Sequence, residues 1–122
     1  MLFRSDRFVF FCQEYGSSFT LFNDNRIFIC FSKSNNPTDG WWCYKIIGDA
    51  TGNHDAFDYP KLAVNDSELY ISGNLFSEPV NTFHQAILFQ MYKYPCYSGG
   101  TLNYLYYQNI SGSPFKIGRA HV

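Results

Sequence analysis

The chain has 122 residues, with nine Lys and Arg against ten Asp and Glu and a formal net charge of −1. A near-neutral, slightly acidic chain without a basic run argues against nucleic acid or an anionic membrane as partner. No apolar stretch approaches the roughly 20 residues that cross a bilayer, so no membrane-spanning segment is expected.

Aromatic residues make up 20 % of the chain. Rings and β-branched side chains fit half-buried pleated surfaces, so composition favours strands over helices. Residues 7–13 form an apolar run of strand length, broken by Gly16-Ser17-Ser18. The turn chemistry of Asn23-Asp24-Asn25 precedes a second run over residues 26–32. Both runs are apolar at successive positions, as expected of strands covered on both faces. Residues 34–40, Ser-Asn-Asn-Pro-Thr-Asp-Gly, then read as a turn, and residues 41–47 as a third strand.

A polar loop is expected from residue 48 to 57. Residues 58–64 follow as a strand, with Pro60 marking its start because it cannot donate to a ladder. Asn65-Asp66-Ser67 turns the chain, and residues 68–74 return it as a hairpin. Residues 84–94 can be scored as a helix by length, but strand is the preferred reading. Residues 101–108 complete six or seven short strands with turn signals between them, an all-β pattern falling into two sets of three.

The two ends read as translated adapter DNA. Residues 1–5 back-translate as GTG CTC TTC CGA TCT. The reverse complement of that string, in a shifted frame, encodes Lys-Ile-Gly-Arg-Ala-His, the sequence at 116–121. Residues 1–5 and 116–122 are therefore expected to be non-native, and the rest to be a window cut from a longer gene. With the two tails set aside, keeping Lys116, seven basic residues face ten acidic ones, a charge of −3.

The cysteines, Cys12, Cys30, Cys43 and Cys96, contain no CxxC pair. They are expected to be small buried hydrophobes, with a Cys30–Cys43 disulfide as the alternative.

Two stretches carry a resemblance. The first runs Ile29-Cys30-Phe31-Ser32 through Pro37-Thr38-Asp39-Gly40-Trp41-Trp42. The second is Asp58-Tyr59-Pro60-Lys61-Leu62 with Leu69-Tyr70-Ile71-Ser72. Both resemble blades of bacterial β-propeller proteins of the sialidase-like, BNR-repeat type. The resemblance implies about two antiparallel blades of an incomplete propeller, one over residues 6–57 and a second, with the start of the next, over 58–115. It also implies a secreted or cell-surface location, a binding or scaffolding role, neighbouring blades of the same parent chain as partners, and carbohydrate as a ligand class. The alternative is part of a carbohydrate-active propeller enzyme whose catalytic residues lie mostly outside the window. The Asp-box departs from the family's pattern at Asn36, and three clustered arginines cannot be assembled from Arg7 and Arg26, so sialidase activity does not transfer. Blades are covered on both faces by neighbours, so an isolated slice is expected to be marginal or prone to aggregation.

Among single residues, Asp58 has two readings: a general acid/base or polar ligand near an axial mouth, and an Asp closing a turn ahead of Pro60, which is preferred. Tyr59 accompanies it as a ligand-binding candidate. Asp49, Asn53 and Asp55 place oxygen donors around Gly52, as calcium loops do, but without the EF-hand spacing. A solvated connection is the preferred reading, and neither a metal nor a cofactor is expected. His54 and His84 lack a partner at zinc spacing. Either can serve as a general base, but the sequence pairs neither with a nucleophile. Trp41 and Trp42 are expected on opposite faces of one strand, one as core and the other with two readings, of which a sugar-stacking platform is the less favoured. Tyr104, Tyr106 and Tyr107 form an aromatic cluster with the same two readings. Asn65 and Asn109 each begin a glycosylation sequon by pattern.

Overall fold

The computed structural model describes residues 6–14, 26–53, 55–77 and 82–110. The expected breaks at Gly16-Ser17-Ser18 and Asn23-Asp24-Asn25 lie outside them, as does His54. The described chain is antiparallel β in two sheets. Strands β1 (Val9–Glu14), β2 (Arg26–Ser32) and β3 (Trp41–Ile47) form the first, in sequential order. Strands β4 (Ala56–Val64), β5 (Glu68–Ser77), β6 (Thr82–Tyr92) and β7 (Tyr104–Ile110) form the second, also in sequential order. Short 3-10 turns occupy Pro37–Asp39 and Tyr94–Ser98. The expected grouping of three and three is thus three and four, and neither sheet closes on itself among the described residues.

Local chemistry explains the turns. Asn36 caps the first 3-10 turn, its side chain accepting from the Thr38 amide at 3.0 Å, and Gly40 ends it at a φ of 103°. A left-handed φ there is cheap only for glycine. Asn65 closes the β4–β5 hairpin by accepting from the amides of Ser67 (3.0 Å) and Glu68 (2.7 Å).

One face of each sheet packs on the other. Ile27, Ile29, Phe31 and Ile46 from the first sheet share a cluster with Phe57, Leu69, Ile71, Leu75, Ile87, Phe89 and Met91 from the second. Side chains alternate along a strand, so these are every second residue. Burying each large one stabilises by roughly 1.5–3 kcal/mol. Hydrogen bonds stitch the layers: the Gln13 amide donates to the Phe57 carbonyl, and the Arg7 guanidinium, held on the Ser32 carbonyl (2.9 Å), also donates to the Tyr97 carbonyl (3.0 Å).

Several expectations change. The apolar character of both faces is met by burial on one face only: in β1 the alternate residue Phe10, with Phe8 just ahead of the strand, is exposed, and in β2 Phe28 and Cys30 are only half-buried. Pro60 lies inside β4, not at its start. It is tolerated because β4 is an edge strand and its register slips between Asp58 and Lys61, where no ladder donor is required. Cys30 and Cys43 stand opposite each other in the β2–β3 register and form a disulfide, so the paired alternative holds for them. Of the remaining two, Cys96 is buried as expected, while Cys12 is exposed. Among the described residues no helix is long and apolar enough to cross a membrane.

Candidate functional site

The connection from β3 to β4 is organised by one carboxylate. Asp49 accepts from the Thr51 amide at 3.1 Å, from the Thr51 hydroxyl, and through its other oxygen from the Asp55 amide at 2.8 Å. Gly52, at a φ of 76°, supplies the left-handed residue this tight loop needs. Asp49 is buried, and its carboxylate satisfies the loop's own donors. Asn53 is exposed on the loop. The expected calcium-type donors Asp49, Asn53 and Asp55 thus share a loop, but Asp55 turns away to a different partner. Among the described residues no group of three His, Cys, Asp or Glu side chains is placed to hold a metal ion.

That partner is His84. The Asp55 carboxylate lies 2.6 Å from His84 Nδ1, with side-chain exposures of 4 % for Asp55 and 45 % for His84. Sheet topology makes the meeting. Ala56 pairs with Phe76, and Phe76 pairs with Phe83, so residues 55 and 84 reach the same end of the second sheet two strands apart. Leu75 pairs with Gln85 and Phe76 with Phe83, so His84 is the extra residue of a bulge, and bulges re-aim side chains. An ionised carboxylate only accepts, so Nδ1 is the donor to Asp55 and Nε2 is the ring nitrogen left outside the pair. This is the orienting half of a general-base arrangement. Among the described residues no hydroxyl or thiol bonds to Nε2, so the pair as it stands orients a base and ties the β3–β4 loop to β6.

The other candidates are dispersed. Asp58 is half-buried in edge strand β4 and accepts from the neighbouring Tyr59 amide at 2.8 Å. Tyr59 is exposed at a φ of 56°, its ring 6.1 Å from that of Phe76. Trp41 and Trp42 occupy opposite faces of β3 in the other sheet. The Trp41 indole donates to the Pro37 carbonyl at 3.0 Å. Trp42 lies on the core-facing side near Gly99, with the Lys33 ammonium 4.2 Å from its ring centroid. A ring capped by a cation and a backbone turn is already covered on part of its surface. Tyr104 and Tyr106 pack on Phe89 at 5.8 and 6.5 Å, whereas Tyr107 donates to Gln90 at 2.8 Å on the opposite face.

Two groups titrate away from their ordinary values in the sheet interface. Burial pushes the Cys96 thiol up, and burial together with the adjacent Cys96 pushes the Tyr44 hydroxyl up. Both therefore stay protonated at neutral pH, and Tyr44 donates to the Gly100 carbonyl at 2.6 Å. Compared with protein-family models, curated proteins and solved structures, the chain matches none of them.

Proposed function

We propose that the chain is about two blades of a secreted or cell-surface β-propeller used for binding or scaffolding. The observation that carries this reading is the order of both sheets. Each is an antiparallel meander with no crossover, and the two are stacked face to face. A propeller repeats that unit, a four-stranded meander whose faces lie against the neighbouring blades. A second feature agrees with it. The uncovered face of β1–β3 presents Phe8, Phe10 and Ile47 to solvent beside the Cys30–Cys43 disulfide, where a preceding blade would sit. Binding is put ahead of catalysis because the acidic candidates among the described residues are dispersed. Most glycoside hydrolysis uses two convergent carboxylates, whereas Asp58 is engaged by the Tyr59 amide and Asp55 by His84.

Recovery of the surrounding gene tests the proposal. The expected result is an open reading frame with several further four-stranded repeats and no axial cluster of arginines or paired carboxylates. A frame whose flanks contain no further strand repeats would overturn the propeller. A convergent carboxylate pair in other blades would replace binding with hydrolysis.

A further inference from the structure

A cleft of about 690 Å³ opens between the sheets where the start of β1 faces the β4–β5 hairpin and the 3-10 turn after β6. Its volume lies within the roughly 300–1,000 Å³ typical of small-ligand sites. No sequence pattern points to it, because its walls come from three segments far apart in the chain.

The lining decides what can bind. Arg7 and Lys93 contribute two cations, and Asp6 and Asp66 two anions. A ligand of either charge would meet a like charge on one wall. A purely apolar ligand would strip water from four charged groups without replacing its hydrogen bonds. A neutral ligand rich in hydroxyls suits all four, because each hydroxyl both donates and accepts. The apolar part of the wall fits the same class. Tyr94 is 48 % exposed, and its ring is fixed edge-to-face against Tyr97 at 5.8 Å. Aromatic faces take the C–H side of a sugar ring as they take other apolar edges. Arg7 is preorganised by its two carbonyl bonds and by lying 5.4 Å from the Tyr97 ring centroid. Preorganised groups bind with less loss of freedom.

From this we infer that the cleft binds a neutral saccharide segment, with Tyr94 as the stacking platform and Arg7 and Asp66 as donor and acceptor. The inference deepens the binding role proposed above by naming a site and a ligand class. The two fail separately. A gene without further repeats removes the propeller and leaves the cleft, whereas a cleft without saccharide binding leaves the propeller.

Saturation-transfer NMR on the full chain tests it, with cellohexaose, xylohexaose and chitohexaose as neutral probes and oligogalacturonate as the anionic control. Transfer to at least one neutral probe is expected. Tyr94→Ala should weaken that binding about tenfold, the equivalent of losing one stacked ring. Tyr94→Phe should retain it, and Tyr92→Ala, outside the cleft, should leave it unchanged. Asp66→Lys, on an exposed turn, should shift preference towards oligogalacturonate. Transfer to the anionic control alone, no transfer to any neutral probe, or full binding by Tyr94→Ala would each overturn the inference.

Discussion

Gly73 in β5 has no room for a methyl group, and Gly73→Ala measures how tightly the core is filled. A Cβ built there lies 2.1 Å from Phe57 Cε2 and 2.3 Å from Cζ. Carbon atoms rest at about 3.5–4.0 Å, so the ring must withdraw by roughly 1.5 Å. It has little space to do so, because Phe57 is fully buried and packs at 6.3 Å against Phe89, itself fully buried. Overpacking of this kind costs about 1–3 kcal/mol, and a clash this deep belongs at the upper end. Replacing glycine by alanine in a strand returns about 0.5–1 kcal/mol. The net expectation is a loss of about 2 kcal/mol, or roughly 6–12 °C in melting temperature for a domain of this size. Far-UV circular dichroism melts give the shift. Phe57→Leu in the Gly73→Ala background vacates the contested space, so the double-mutant cycle should show favourable coupling of at least about 1 kcal/mol. A Gly73→Ala chain that melts at or above the parent temperature would refute this packing of β4 against β5.

Three other perturbations address separate parts of the molecule. Replacing Cys30 and Cys43 by serine opens a loop with a sequence separation of 13 and should cost about 3 kcal/mol by the chain-entropy argument, read as a lower denaturant midpoint that reductant no longer changes. In the native chain a thiol reagent should label exposed Cys12 quickly and buried Cys96 only on unfolding. Because Cys96 and Tyr44 are held protonated by the fold, the folded state binds more protons than the unfolded one at high pH. Stability should therefore be complete below about pH 8.5 and fall as pH rises beyond it; a stability that climbs through pH 9–10 would contradict this. His84→Ala removes the partner of a buried carboxylate and should destabilise by about 1–3 kcal/mol, with Asp55→Asn in the same background recovering part of the loss in a urea titration.

The parts of the fold that are local were readable in the sequence. Strands β2 and β3 coincide with the expected runs because Asn36-Pro37-Thr38-Asp39-Gly40 specifies its own turn, and Asn65 does the same for β4–β5. Strand β6 needed its neighbours to decide, since residues 84–94 have the length of a helix and only pairing with β5 and β7 holds them extended. The Cys30–Cys43 bridge depends on register, which the turn sets but composition does not reveal. The place of Pro60 inside β4 is not legible locally, because an edge and a bulge are properties of the sheet rather than of the proline. The Asp55–His84 pair joins residues 29 apart through two strand pairings and a bulge, so no spacing rule predicts it. The loop carboxylates are recognisable from sequence as oxygen ligands, but which donors they satisfy is set by the loop's folded amides.

On the propeller reading proposed above, a preceding blade covers the outer face of β1–β3. Sedimentation velocity of the full chain across a concentration series, with 8-anilinonaphthalene sulfonate fluorescence alongside, measures that directly, because Phe8, Phe10 and Ile47 are all about half exposed there. The prediction is concentration-dependent self-association with dye binding, both suppressed by Phe10→Lys with Ile47→Lys while the melting temperature is unchanged. A parent chain that stays monomeric at every concentration and binds no dye would contradict it.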